Sequence, residues 1–253
     1  MIQLTDVRKQ FGKGQRWVAD GITLTIPQGE MTCIVGQSGE GKSVLLKQII
    51  GLIKPTSGSI TIGEQEVTTM SEAQLQDLFM QCGYVFQSAA LLDSLTIGEN
   101  IAISLMEQGK TYKQVLTLIK EKLALVNLKP DVLDKYPSQL SGGMQKRVGL
   151  ARTLITEPKI LLYDEPTTGL DPITARIVFE LMSNVHEKFK CTSVIISHDI
   201  NIFKYVDNIA LLHQGKIRFF GKASTIWKST NPYIQQFIRG LSDGPISTFA
   251  TKV

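Results

Sequence analysis

The sequence has few of the features that mark membrane-spanning, secreted or disulfide-bonded proteins. None of its apolar runs approaches the roughly 18 residues that a membrane-spanning helix needs. No N-terminal segment combines a basic start, an apolar core and a cleavage site. The three cysteines, Cys33, Cys82 and Cys191, are widely spaced and form neither a C-x-x-C pair nor a metal-binding pattern. We therefore expect buried free thiols in a reducing compartment, and contact with a membrane only through a partner.

The charge pattern gives no indication of nucleic-acid binding. The 253 residues include 27 Lys and Arg against 23 Asp and Glu, for a net charge of +4, and contain no run of Lys or Arg. A charge this small is typical of an ordinary solvated surface, although it would also suit an anionic membrane. The hydrophobic and charged fractions, 43% and 20%, are those of a globular protein.

What the sequence does contain is a glycine-rich loop. Residues 36–43, GQSGEGKS, match the pattern Gly-x-x-x-x-Gly-Lys-Ser that binds triphosphates. Gly36 and Gly41 allow backbone angles that a Cβ would forbid, so that N–H groups can point at phosphate. Lys42 would place a positive charge on the outer phosphates, and the Ser43 hydroxyl is a ligand for Mg²⁺. The residues expected to hold the nucleotide are Gly36, Gln37, Ser38, Gly39, Glu40, Gly41, Lys42, Ser43 and Val44.

Hydrophobic periodicity around this loop predicts strands that alternate with helices. The apolar run 31–35 predicts a buried strand, and 43–50 predicts a helix whose positive N-terminus faces the anion. Further strands are expected at 57–62, 83–86, 159–163, 193–197, 209–212 and 216–220, and helices at 71–80, 141–156 and 172–189. We therefore predict an α/β fold with a mostly parallel sheet flanked by helices, and an antiparallel β-layer at the N-terminus.

The middle of the chain, about residues 88–157, predicts an inserted helical subdomain. Thr96 with Glu99 forms a capping box for one helix, and Thr111 begins a longer one. We expect one domain over residues 1–240 and a tail over 241–253 that either lacks fixed structure or contacts a partner subunit.

A second motif is an apolar run that ends at two carboxylates, Asp164 and Glu165. Ligands of parallel sheets lie beyond the carboxyl ends of the strands, so Asp164 would face the Mg²⁺ beside Ser43. Glu165 could orient or deprotonate an attacking water. Two solvated acids at a strand end are the alternative, which the phosphate loop makes the weaker one.

A third motif, Ser141-Gly142-Gly143, begins a helix after Leu140. A serine and two glycines at a helix N-terminus form either a plain capped helix start or a second anion site. Because the chain already has one phosphate loop, a second anion site is surplus unless it serves another nucleotide.

The ordered set of phosphate loop, LSGGM at 140–144 and ILLYDE at 160–165 resembles ATP-binding-cassette (ABC) ATPases, over about residues 2–240. The resemblance implies ATP and Mg²⁺ as cofactors and hydrolysis by in-line attack of water on the γ-phosphate. It also implies a homodimer paired head to tail, in which each LSGGM segment closes over the ATP of the other subunit.

The resemblance assigns the remaining positions one by one. Phe11 resembles the aromatic that stacks on adenine, with Trp17 as the alternative. Gln87 resembles the glutamine that reaches metal and water, and His198 the histidine that senses the γ-phosphate. Asp171, in Gly169-Leu170-Asp171, matches the loop that contacts the opposite subunit. The implied catalytic residues are Glu165, His198, Lys42 and Gln87, the nucleotide contacts include Ser141, Gly142, Gly143 and Asp171, and the metal ligands are Ser43, Gln87 and Asp164.

Finer features resemble the Mla/Mce branch of the family. They are QSAALLDSLTIGENIA at 87–102, Met144 within the third motif, SHDI at 197–200 and FIRGLSDGP at 237–245. This resemblance implies that the chain powers phospholipid transport between membranes from the cytoplasmic face of the inner membrane. The implied partners are an integral membrane permease facing residues 88–95, an Mce-domain protein and a STAS-domain regulator, with no nucleic acid.

Two other functions remain open at this point. Amino-acid importers and lipoprotein releasers have cassettes with the same catalytic motifs. Soluble ABC proteins of DNA repair or translation are the other class. They usually carry two cassettes or a long coiled-coil insertion, whereas this chain has one cassette, a short insertion and no basic stripe.

Overall fold

The computed structural model describes residues 1–12 and 14–246. It divides into two compact units, which we name the terminal unit, residues 1–75 together with the chain from 194 onward, and the central unit, residues 76–193. Within the described residues, no helix is both long enough and apolar enough to cross a membrane.

The secondary structure follows the predicted alternation closely. The strands are β1 (Ile2–Lys9), β2 (Ala19–Ile26), β3 (Met31–Val35), β4 (Ser57–Ile62), β5 (Gln65–Glu66), β6 (Cys82–Val85), β7 (Ile160–Asp164), β8 (Thr192–Ser197), β9 (Asn208–His213) and β10 (Lys216–Lys222). The α-helices are α1 (Lys42–Ile49), α2 (Glu72–Gln81), α3 (Ile97–Glu107), α4 (Tyr112–Leu125), α5 (Gly142–Leu154), α6 (Pro172–Phe189) and α7 (Pro232–Arg239). Five short 3₁₀ segments, Val67–Thr69, Pro130–Val132, Pro137–Gln139, Ile200–Lys204 and Ala223–Lys228, complete the described elements.

The terminal unit contains the predicted antiparallel layer, a four-stranded sheet in the order β2-β1-β4-β5. Alternate apolar residues share one face, because side chains of a strand point to opposite sides in turn. Leu4 lies opposite Leu24 on one neighbour and Ile60 on the other, and all three are buried.

The strand that leads into the phosphate loop belongs to the terminal unit too. All five residues of β3 are buried, as are all six of β9, which runs parallel beside it with Cys33 opposite Ile209. Burial on both faces explains why these strands are continuous apolar runs rather than alternating ones. β10 pairs antiparallel with β9, and the two are joined by a tight turn at Gln214 and Gly215.

The end of the described chain packs onto α7. The amide of Gln236, itself buried, donates to the carbonyl oxygens of Leu241 (3.2 Å) and Ile246 (3.0 Å) and accepts from the Ile246 N–H (2.7 Å). The predicted tail is therefore held in place up to Ile246, and its residues 247–253 lie outside the described part.

In the central unit, β6 and β7 pair in parallel, with Val85 opposite Tyr163. Helices α3, α4 and α5 contact one another, and α5 also contacts β6. The predicted capping box of α3 is present: the Glu99 N–H donates to Thr96 Oγ1 (3.3 Å) and the Thr96 N–H donates to Glu99 Oε2 (2.8 Å). This places a helical region where the sequence predicted an insertion.

Candidate nucleotide-binding site

Two glycines of the phosphate loop are required by close approaches of the surrounding chain. A Cβ on Gly36 would lie 2.3 Å from the carbonyl oxygen of Leu212, and one on Gly41 would lie 2.3 Å from Cγ1 of Val18. Gly41 also has a φ of +88°, which L side chains rarely adopt. The sequence motif predicts the backbone angles, whereas the tight packing of β9 and Val18 against the loop is visible only in the structure.

The loop ends at the start of α1 in a form suited to an anion. Gly41 is the N-cap of α1, and no described side chain caps this helix start. The first N–H groups of a helix have no partner within the helix, and the helix dipole makes this end positive. The Lys42 side chain folds back over the loop, and its ammonium donates to the carbonyl oxygens of Gly36 (2.9 Å) and Gln37 (2.8 Å). A positive group and a positive helix end thus share one loop.

Glu40, inside the same loop, turns its carboxylate away into the protein. It is 8% exposed, and its carboxylate contacts His213 Nδ1 (2.8 Å) and accepts from the Gln214 N–H (2.6 Å). The sequence motif assigns Glu40 to the nucleotide and does not indicate His213. An acidic residue among phosphate-binding amides was the signal that a partner elsewhere in the chain had to hold it.

Two further predicted residues lie in the terminal unit. Phe11 is 57% exposed, with the Lys9 ammonium 5.1 Å from its ring centroid, so its ring is accessible for stacking. Trp17, the alternative, is half-buried. His198 is exposed and immediately follows the last residue of β8.

In the central unit, Asp164 is the buried last residue of β7, and Tyr84 of β6 donates its hydroxyl to Asp164 Oδ2 (2.8 Å). Burial is the main reason why the pKa of Tyr84 lies well above its usual value. The hydrogen bond to Asp164 and the negative charge of Asp164 raise this pKa further. The phenol therefore stays protonated and remains a donor. Sequence reasoning missed Tyr84, because its contact depends on the register between β6 and β7.

Glu165 is oriented by its own turn. Its φ of 48° is left-handed, and its Oε2 accepts from the Thr168 hydroxyl (2.9 Å). Lys146 of α5 donates to the Thr168 carbonyl oxygen (2.5 Å). Burial lowers the pKa of Lys146, while the charge of Glu165 opposes that shift. A carboxylate held in a fixed direction next to a lysine can orient a water and accept its proton.

The LSGGM segment forms the N-terminus of α5 as predicted. Ser141 is the N-cap and accepts from the Met144 N–H (3.3 Å). A Cβ on Gly143 would lie 2.7 Å from Thr174 Cγ2, whereas one on Gly142 would meet no described atom within 4 Å. Gly143 therefore serves close packing against α6, and Gly142 leaves space above the helix end.

Asp171 and Gln87 are the remaining predicted residues of the central unit. Asp171 caps α6, accepting from the N–H groups of Ile173 and Thr174 (3.0 Å each). Hydrogen bonds from the side chain and backbone of Thr174 lower the pKa of Asp171. Gln87 is exposed and lies two residues beyond β6. The structure thus groups Gln87, Ser141–Gly143, Asp164, Glu165 and Asp171 in the central unit, and Phe11, residues 36–44 and His198 in the terminal unit.

The predicted metal-binding residues suit a hard cation that also keeps ligands from outside the protein, such as phosphate oxygens. Within the described residues, no group of three or more His, Cys, Asp or Glu side chains could hold a metal ion. Mg²⁺ is typically bound by one or two protein oxygens together with substrate phosphates. The Ser43 hydroxyl and the Asp164 carboxylate are oxygen donors of this kind.

Comparison with protein families gives one match over most of the motifs described above. Residues 19–168 match the family model described as ABC transporter. Among curated proteins, the chain is 38% identical over 247 residues to the probable ribonucleotide transport ATP-binding protein mkl of Mycobacterium tuberculosis, covering 97% of this chain and 68% of that protein. It is 40% identical over 265 residues to TRIGALACTOSYLDIACYLGLYCEROL 3, chloroplastic, of Arabidopsis thaliana, covering 97% and 75%. It is 36% identical over 243 residues to the methionine import ATP-binding protein MetN 1 of Yersinia pestis, covering 94% and 71%.

Solved structures give the same result for the fold. The dimeric post-hydrolysis state of the ATP-binding cassette MJ0796 bound to ADP and phosphate superposes with a TM-score of 0.78 at 31% identity, covering 88% of this chain and 99% of that one. The cbiO1 protein of Clostridium perfringens, part of the ABC transporter complex cbiONQ, superposes with a TM-score of 0.83 at 26% identity, covering 95% and 94%. The predicted fold, with its mixed sheets and flanking helices, is confirmed by these neighbours.

Proposed function

The chain belongs to the ABC transporter family, and within that family we propose that it is the ATP-hydrolysing subunit that powers phospholipid transport of the Mla/Mce type. The single observation that carries the ATPase assignment is the phosphate loop. In it, two glycines without room for a Cβ, a helix start that no described side chain caps and the Lys42 ammonium come together. The phospholipid assignment is supported by the segments 87–102 and 237–245 and by a relative whose name is that of a galactolipid.

The proposed division of labour follows the family mechanism. Residues 36–44 would bind the phosphates of ATP, Phe11 its adenine, and Lys42 the charge on the outer phosphates. Ser43, Asp164 and Gln87 would hold Mg²⁺, which when bound neutralises charge on the phosphates. Glu165, directed by Thr168, would orient water and take its proton, and His198 would hold the γ-phosphate.

The proposed partners are a second copy of this chain and a membrane permease. The dimeric MJ0796 cassette and the place of cbiO1 in the ABC transporter complex cbiONQ support this pairing by analogy. Ser141 and Gly142 of one copy would close over the ATP of the other, and Asp171 would contact the opposite copy. An Mce-domain protein, a STAS-domain regulator and a position on the cytoplasmic face of the inner membrane complete the proposal. We also propose that residues 1–240 act as one cassette with a helical insertion over about 88–157.

The proposed permease-facing segment, residues 88–95, is held firmly from inside the central unit. Arg152 donates to the carbonyl oxygens of Ala90 (2.7 Å) and Ala89 (3.0 Å). Asn100, fully buried, accepts from the Leu92 N–H (2.8 Å) and donates to the carbonyl oxygen of Leu95 (3.1 Å). Leu92 is nevertheless 45% exposed, so an apolar side chain is presented on an ordered loop.

Replacement of Glu165 by Gln tests the catalytic assignment. We expect ATP affinity to change little, because the amide keeps the shape of the side chain, and kcat to fall by about 100-fold or more, because the base is lost. Steady-state ATPase assays and equilibrium binding of ATP measure the two quantities. Hydrolysis close to that of the unmodified protein would refute the role of Glu165.

Reconstitution tests the transport assignment. Co-expressed with the permease of its own genome, the protein should catalyse ATP-dependent transfer of labelled phospholipid from proteoliposomes, and the Glu165→Gln complex should not. Leu92→Arg should reduce recovery of the permease complex, whereas Leu52→Arg, on a similarly exposed leucine of the terminal unit (52% against 45%), should not. Transport of methionine without phospholipid transfer would favour the importer alternative, which the 36% identity to a methionine import protein supports. Recovery with ribosomes or DNA would favour a soluble ABC protein.

A further inference from the structure

A carboxylate within a phosphate-binding loop is expected to repel the ligand, and Glu40 avoids this only through its partners. Its Oε1 lies 2.8 Å from His213 Nδ1, and its Oε2 accepts from the Gln214 N–H at 2.6 Å. The exposed Arg16 guanidinium lies 3.8 Å from Oε2. His213 and Gln214 direct the negative charge to the β9–β10 turn, and Arg16 adds a positive charge beside it.

The position of His213 lowers the stability of the folded protein. The 2.8 Å contact is a hydrogen bond in which His213 Nδ1 donates to the Glu40 carboxylate when Nδ1 carries the proton. His213 Nε2 is buried and has no hydrogen-bond partner in the described part of the chain. A buried polar atom without a partner destabilises a protein, so stability alone does not account for a histidine here. The contact between His213 and Glu40 is the interaction that accounts for a histidine at this position.

The pair is also connected to α7. The ring of His213 packs against the ring of Tyr233, with centroids 5.9 Å apart, and the Arg218 guanidinium lies 5.3 Å from the Tyr233 centroid. Asn231, the N-cap of α7, accepts from the Tyr233 N–H (3.0 Å) and donates to the Arg218 carbonyl oxygen (3.0 Å). A continuous set of contacts in the terminal unit therefore runs from the phosphate loop through β9 and β10 to α7.

We propose that Glu40 and His213 are a positioning pair that keeps the Glu40 charge out of the phosphate loop and couples the loop to α7. This inference rests on the proposed binding of ATP by residues 36–43. If His213 is removed, the freed carboxylate can turn toward the phosphates and weaken their binding. If the charge of Glu40 is removed as well, no carboxylate remains to repel the phosphates.

The experiment measures the Kd of a fluorescent ATP analogue for four proteins. Wild-type binding tests the proposed function by itself, independently of the pair. His213→Ala should raise Kd about tenfold or more, as expected when one partner of a buried charged contact is lost. The double variant Glu40→Gln/His213→Ala should recover most of the lost affinity, because it also removes the freed charge. His186→Ala, which removes a half-buried histidine that contacts Ser193 (3.1 Å), is the control and should leave Kd unchanged.

Recovery in the double variant separates charge positioning from a general loss of structure, because two substitutions that merely damaged the fold would weaken binding further. Hydrogen exchange tests the link to α7. ATP should slow exchange at residues 232–239 in the wild type, and should no longer do so in the double variant although it binds. Wild-type affinity in His213→Ala, or a double variant as weak as His213→Ala, would overturn the positioning role. Equal protection of α7 in the wild type and the double variant would overturn the coupling.

Discussion

At the scale of single residues, the hydroxyl of Tyr84 orients the carboxylate proposed to hold Mg²⁺. It donates to Asp164 Oδ2 at 2.8 Å, and its raised pKa keeps it a donor throughout the physiological pH range. Groups that orient a metal ligand typically change metal affinity or activity by about 10–100-fold when removed. We therefore expect Tyr84→Phe to require about tenfold more Mg²⁺ for half-maximal ATPase activity. Tyr136→Phe, at an exposed tyrosine of the same unit, is the control, and an unchanged Mg²⁺ titration would show that Tyr84 does not serve the metal.

The cysteines give a pH-dependent prediction at the same scale. Burial raises the pKa of Cys82 to about 12 and also raises the pKa values of Cys33 and Cys191. Because the thiolate is the reactive form, a raised pKa leaves a thiol protonated and inert at neutral pH. Native protein should therefore resist iodoacetamide at pH 8, and all three thiols should react once it is unfolded. Mass spectrometry counts the adducts, and rapid labelling of a native cysteine would contradict its raised pKa.

Functional residues that lie within a contiguous motif could be predicted from the sequence. Residues that contact them from a distant part of the chain could not. Lys42, Asp164 and Glu165 are recognisable because each motif is contiguous in sequence. Tyr84 lies 80 residues from Asp164, and His213 lies 173 residues from Glu40. Such contacts depend on strand register and on turns, which a single sequence does not specify.

At the scale of elements, boundaries were predictable where a cap marks them. Helix α6 spans Pro172–Phe189 as predicted, because Asp171 caps its start and Pro172 occupies its first position. Helix α5, in contrast, ends at Leu154 rather than near residue 156, and Glu157 shortly after it has a left-handed φ of 51°. The two-residue strand β5 was not predicted, because it is too short to show a hydrophobic period.

The loop that contains residues 88–95 depends on one side chain of the next element. Asn100 in α3 is fully buried and bonds to the backbone of Leu92, Leu95 and Thr96. Its replacement by Ala would leave the partly buried Leu92 N–H and Leu95 carbonyl oxygen without this partner, each costing about 1–3 kcal/mol. We expect Asn100→Ala to lower the free energy of unfolding by roughly 2–4 kcal/mol and to reduce stimulation of the ATPase by the permease. Asn201→Ala, on an exposed asparagine, is the control in chemical denaturation. Stability equal to that of the control would show that the loop does not need Asn100.

At the scale of the whole molecule, the proposed site is complete only in a pair of chains, and Ser141 allows a test of this. As the N-cap of α5 it accepts from the Met144 N–H at 3.3 Å, a role that Asp and Asn fill equally well. Asp would add a negative charge where the proposal places the partner's ATP, whereas Asn would not. The two substitutions therefore differ in charge at nearly constant helix capping.

In the Glu165→Gln background, where ATP binds without being hydrolysed, light scattering should detect an ATP-dependent dimer. Adding Ser141→Asn should leave that dimer intact. Adding Ser141→Asp should leave ATP affinity of the monomer unchanged, because the phosphate loop of the same chain is untouched, yet prevent dimerisation by repulsion between like charges. If Ser141→Asp instead weakened ATP binding by the monomer, the serine would act on the nucleotide of its own chain and the head-to-tail arrangement would be wrong. If it dimerised as well as Ser141→Asn, the start of α5 would not face a nucleotide at all.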